Sequence, residues 1–170
     1  MLYNIIMTDY KTFLDNGIND FYAGNYTSAL ENINKSLDLK NDWEIPFFYR
    51  GVVNQALENF DDAILDYTKA LKINDKMTDA YYNRAKIELS RKDNQNRNME
   101  NIISDLGKAL ELDPNFMDAL FAMAAALEKE GRYEEAITYL DRIIDIDADA
   151  VFAKAFKKLI IKKHLSPDQN

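Results

Sequence analysis

The side chains that could do chemistry in this chain are few and poorly grouped. The sole histidine, His164, ends a lysine-rich run, "KAFKKLIIKKH", at 154–164, with Ser166 two positions on. A nucleophilic triad needs a histidine beside its serine and a third group to orient it. His164 reads instead as a solvated helix end. There is no cysteine, which excludes a thiolate zinc site, a cysteine nucleophile and a disulfide framework. The acidic run "DIDADA" at 145–150 lacks the glycine turn and the twelfth-position glutamate of a calcium loop. It reads as a helix end running into the next helix, whose free N–H groups Asp149 would cap. Asp61 and Asp62, like Glu134 and Glu135, fall where helices begin and negative charge suits the dipole. No glycine-rich loop is present to cradle a phosphate. The expectation is no enzyme, no cofactor and no metal.

Composition points the same way. Apolar residues make up 47% of the 170, enough for a core, while 5 Gly and 3 Pro suit long helices rather than a turn-rich fold. The formal charge is −8, from 21 basic and 29 acidic side chains. A polyanionic partner would need a segregated basic face, so nucleic-acid binding is not expected. The run at 154–164 reads as a solvated lysine face, and membrane contact is not expected either. The opening "MLYNIIMTDYK" lacks a basic n-region and a cleavage site. No apolar run approaches the roughly 18 residues that span a bilayer. The expected location is cytoplasmic.

What must position any functional residues is a repeat. "ENFDDAILDYTKALKIND" at 58–75 has close counterparts in "GNYTSALENINKSLDLKN" at 24–41 and "GRYEEAITYLDRIIDIDA" at 131–148. Small residues Gly17, Gly51, Ala85 and Ala124 are spaced 34, 34 and 39 apart. Tyr26, Phe60, Met99 and Tyr133 follow at 34, 39 and 34, and so do Ala29, Ala63, Ile102 and Ala136. Ile33, Tyr67, Leu106 and Leu140 keep that series, as do Ser36, Ala70, Ala109 and Ile143. Five extra residues therefore lie between 85 and 99, in the polar stretch "KIELSRKDNQNRN", as an enlarged turn or an overlong helix end. Within a unit, Phe60, Ala63, Ile64, Tyr67, Ala70 and Leu71 make one apolar helical stripe. Each unit is thus two helices joined by a short turn, with small residues where the pair crosses closely.

A 34-residue helix-turn-helix unit of this pattern resembles the tetratricopeptide repeat family, over about residues 10–148. "ALELDPNFMDAL" at 109–120 is its most typical piece. Asn41, Asp75 and Ala148 stand where the proline equivalent to Pro114 would fall, and Ile102 replaces the usual alanine. The resemblance implies an all-α, right-handed superhelical solenoid of four repeats, at 10–43, 44–77, 78–116 and 117–150. An apolar segment at 1–9 precedes them, and a tail at 166–170 ends the chain. A helix at 151–165 caps the array, with Phe152, Phe156, Leu159 and Ile160 inward and lysines outward.

In such a solenoid the first helix of every unit lines a concave groove. The groove residues expected from the register are Lys11, Leu14, Ile18 and Phe21, then Phe48 and Val52, then Tyr82, Asn83 and Lys86, then Phe121 and Lys129. The implied function is binding a protein or peptide partner against this aromatic face, the three lysines favouring acidic flanks. The apolar "MLYNIIM" is a candidate to fold back into the groove. Some family members grip a C-terminal carboxylate with Lys, Asn and Arg. Only Asn83 matches that pattern here, and Asp79 and Asp118 hold cationic positions, so a carboxylate clamp is not expected. A small chaperone for secreted clients and a self-associating scaffold are the alternatives within this reading.

Overall fold

The computed structural model describes residues 2–91 and 98–166, with side chains from Asp9 onward. Among these residues the fold is all α. The helices are α1 (Leu2–Tyr22), α2 (Tyr26–Leu39), α3 (Glu44–Ala56), α4 (Phe60–Ile73) and α5 (Thr78–Ser90). Then come α6 (Met99–Leu112), α7 (Met117–Lys129), α8 (Tyr133–Ile146) and α9 (Val151–Ile160), which runs into a π-helical turn at Ile161–Leu165. The chain forms two compact units, one up to Ala80 and one from Tyr81.

The register of the sequence is the register of the helices. The second helix of each pair starts on Tyr26, Phe60, Met99 or Tyr133 and has 14 residues every time. The first helices α3, α5 and α7 have 13 residues each. Helix α5 is no longer than its counterparts, so the five extra residues fall between Ser90 and Met99. Residues 92–97 of that stretch lie outside the described residues.

In the unit up to Ala80, α1 packs on α2, α2 on α3, and α3 on α4. A side chain cannot be added where these pairs cross. A Cβ on Gly17 would sit 2.6 Å from Ile33, and one on Gly51 2.8 Å from the Tyr67 ring. Leu14, Ala29, Ile33, Leu37 and Val53 form the core. Ser36 occupies the buried position held by alanine in α4 and α6, and its hydroxyl donates to the Tyr10 carbonyl at 2.7 Å. That satisfied bond is what makes a buried serine tolerable there. The turns into α2 and α4 each pass through a left-handed residue, Gly24 at φ 80° and Glu58 at φ 60°. Only glycine adopts that conformation without a steric penalty, so Glu58 is a strained position.

In the unit from Tyr81, α6 packs on α7, α7 on α8, and α8 on α9. Its core joins Ala85, Leu106, Leu120, Ala124 and Leu140 to Ala153 and Ile160 of α9. The turn into α8 passes through Gly131 at φ 74°. Helix α9 does cover α8, but with a different face from the one expected. Ala153 and Ile160 are buried and Phe156 packs against the core, whereas Phe152 is 83% exposed and Leu159 56%. The reason is the small residue. Ala153 permits close approach to α8 and turns the i, i+3, i+7 set of 153, 156 and 160 inward, which carries 152 and 159 outward.

Three further expectations need correction. Helix α1 begins at Leu2, so residues 2–8 are its opening turns and not a separate segment; the side chains of "MLYNIIM" lie outside the described residues. Asp149 does not cap α9: Ala150 holds the N-cap position without a side-chain bond, and the Asp149 amide donates to Asp147 Oδ1 at 2.9 Å. His164 is not a solvated helix end. Its ring stacks on Tyr133 with centroids 3.9 Å apart, and Nε2 lies 3.4 Å from Glu128 Oε1.

Candidate binding faces

In the first unit the register residues on α1 and α3 divide by size. Leu14 is 2% exposed and belongs to the core beside Val53, which removes it from any open face. A leucine is short enough to be enclosed between α1, α2 and α3. Phe48, one repeat later, is longer and stays half-exposed, edge-on to Tyr49 at 5.5 Å and tilted on Tyr67 at 5.8 Å. Ile18, Phe21 and Val52 are half-buried, and Lys11 is exposed. Tyr22, at the end of α1, is 73% exposed. Burial pushes the Tyr49 phenol above its ordinary range, helped by a hydrogen bond with Tyr22 and by the charge of Asp79. The Tyr49 phenol thus stays a neutral hydroxyl.

The second unit carries its own set. Tyr82 is half-buried, tilted on Phe116 at 4.9 Å, with Lys86 Nζ 5.5 Å above its ring. Burial raises the Tyr82 pKa, and the charge of Asp118 adds to it. Asn83 is half-buried and Lys129 exposed. Phe121 is 37% exposed and lies 5.5 Å from Phe156. The structure therefore groups Tyr82, Lys86 and Asp118 on one face, and Phe121 with α9.

Beside Phe121 lies a cavity of about 570 Å³. Helix α7 contributes Met117, Asp118 and Phe121, the end of α8 gives Ile143 and Asp147, and the start of α9 gives Asp149 through Ala153. That volume is within the roughly 300–1,000 Å³ of ordinary ligand sites. Phe152, turned outward on α9, forms part of its wall, an orientation that the apolar run alone does not signal.

Two polar clamps were also missed. Arg50 Nε and Nη2 donate to the two oxygens of Asp66 at 2.9 and 2.6 Å, Nη1 donates to Asn34, and Asn54 adds a bond to Asp66 at 3.2 Å. Arg84 grips Asp105 through the same two nitrogens, both at 2.7 Å, and this bidentate bond raises the Arg84 pKa. Their signal was in the register: Arg50 to Arg84 is 34 residues and Asp66 to Asp105 is 39.

With the geometry described, comparison with known proteins places the chain. A family model described as tetratricopeptide repeat matches residues 94–159. Together with solved neighbours such as a tetratricopeptide repeat protein from Parabacteroides merdae, this shows that the repeated helix pairs have the tetratricopeptide repeat fold. A TPR repeat-containing protein of Methanocaldococcus jannaschii is 25% identical over 134 residues, covering 78% of this chain and 22% of that protein. The chain spans only about a tenth to a fifth of the length of the curated relatives it matches. Among solved structures, MamA superposes with a TM-score of 0.82 at 18% identity, over 91% of this chain and 81% of that one. The first TPR domain of Spaghetti (RPAP3), solved bound to the HSP90 peptide SRMEEVD, gives 0.66 at 22% identity over 73% and 94%. These likenesses concern the fold. Among the described residues, no helix is long and apolar enough to cross a membrane.

Proposed function

We propose that this chain is a non-catalytic binding module that holds a partner polypeptide against the first helices of its repeats. Repeat proteins of this fold generally mediate protein–protein contacts, and that coarse role is the starting point. The observation that carries the finer reading is the register position shared by Phe48, Tyr82 and Phe121. In three successive first helices it holds a large aromatic ring, and each ring stays partly in water although the core beneath it is complete. Aromatic side chains bury large area at small entropic cost, and so anchor binding surfaces. Val52 and Ile18 extend the apolar surface in the first unit. Lys11, Asn83, Lys86 and Lys129 supply polar contacts at its edges.

The reading is tested by affinity capture from a lysate of the source organism. The baits are wild type and a Phe48→Glu, Tyr82→Glu, Phe121→Glu variant whose helicity has been checked by circular dichroism. Partners lost from the variant alone support the reading. Partners captured equally by both baits overturn it.

A further inference from the structure

The expectation of acidic partner flanks, drawn from three lysines, does not extend to the cavity beside Phe121. Its floor is apolar, from Met117, Phe121 and Ile143, and Phe152 stands over it with 83% of its surface in water. All of the charged residues lining it are acidic: Asp118, Asp147 and Asp149. Among the described residues no lysine or arginine forms an ion pair with any of the three. Three cations of α8 and α9 bond elsewhere, two of them to carbonyls. Lys154 donates to the Ala148 carbonyl, Arg142 to the Pro114 carbonyl, and Lys157 pairs with Asp141.

The geometry points to a subsite for a partner segment that places one large apolar side chain in this cavity and lysine or arginine on either side of it. This rests on the binding function proposed above and names the chemistry of one anchor. Charge complementarity carries the assignment. Three carboxylates that stay solvated around an apolar floor attract cations and repel carboxylates across the same few ångströms. The formal charge of −8 works in the same direction at longer range, both drawing in a cationic segment and opposing a second copy of this chain.

The test uses the full chain and two fluorescein-labelled probes, KKSFLSKK and EESFLSEE, followed by anisotropy at low salt. The lysine probe should saturate the protein and bind at least about tenfold more tightly than the glutamate probe, the sum of a few ion pairs of ordinary strength. Asp118→Asn, Asp147→Asn, Asp149→Asn together should remove that preference. Phe152→Ser should weaken the lysine probe about tenfold through lost apolar burial, with helicity unchanged because the ring is exposed in the free protein. Failure of the lysine probe to bind by about 1 mM, equal binding of both probes, or a preference surviving the triple variant would each overturn the subsite. So would a dimer seen by sedimentation and abolished by Phe152→Ser, since the occupant would then be a second copy. Loss of captured partners from a separate Phe48→Glu, Tyr82→Glu bait, which keeps Phe121 because that ring lines the cavity, reports on the wider binding function alone. The two proposals therefore fail separately.

Discussion

Gly51 and Ala85 hold the same place in successive first helices, one in each compact unit, and meet different partners. Gly51 lies under Tyr67, whose ring leaves no space for a Cβ. Ala85 shares its core with Leu106, the residue at the Tyr67 position one repeat later. Ala124 with Leu140 repeats the second solution, while at Gly17 it is the close approach of Ile33, and not the size of a ring, that excludes a Cβ. The lesson is that a helix crossing constrains the combined bulk of two side chains. One repeat spends that volume on a tyrosine and another divides it between alanine and leucine.

The same contrast governs the polar clamps. In the first unit Asp66 is 4% exposed at its side chain and takes three bonds from Arg50 and Asn54, whereas in the second Asp105 is 14% exposed and gripped by Arg84. Removing Arg50 strands a buried carboxylate. Arg50→Ala should therefore give the largest loss, about 3 kcal/mol in urea unfolding, and Arg84→Ala a smaller one. Equal losses would show that burial of the carboxylate is not what sets the cost.

Next in size is the crossing itself. Gly51→Ala drives a methyl into Tyr67 and should cost about 2 kcal/mol. Adding Tyr67→Leu, the pairing of the second unit, should recover part of that loss in a double-mutant cycle. A cycle without coupling would mean that the glycine serves some purpose other than making room for the ring.

The smallest effect lies in the turns. Glu58 adopts the left-handed conformation that Gly24 and Gly131 adopt at the equivalent positions. Glu58→Gly should stabilise the protein by about 0.5–1 kcal/mol, the relief of a side-chain clash less the entropy that glycine adds to the unfolded chain. A destabilised variant would show that Glu58 makes a contact worth more than its strain.

Much of this was legible in the sequence because repeat spacing is geometry. The starts of α2, α4, α6 and α8 fall on Tyr26, Phe60, Met99 and Tyr133, and the crossings fall on the small residues. What stayed hidden depends on rotation and reach within a known helix. Leu14 and Phe48 share a register position, and only the length of the side chain decides that one is core and the other half-exposed. Phe152 and Phe156 share an apolar run, and the approach allowed by Ala153 decides which faces inward. The stacking of His164 on Tyr133 depends on a π-helical turn that no composition signal announces. The arginine clamps were readable, had the charged positions been followed with the same arithmetic as the apolar ones.

The proposed binding function places a partner on the first helices. It is tested most directly by amide hydrogen exchange on this chain, alone and saturated with a captured partner. Slowed exchange is expected in residues 44–56, 78–90 and 117–129, with smaller changes in α2, α4, α6 and α8. Protection confined to the second helices, with α3, α5 and α7 unchanged, would contradict it.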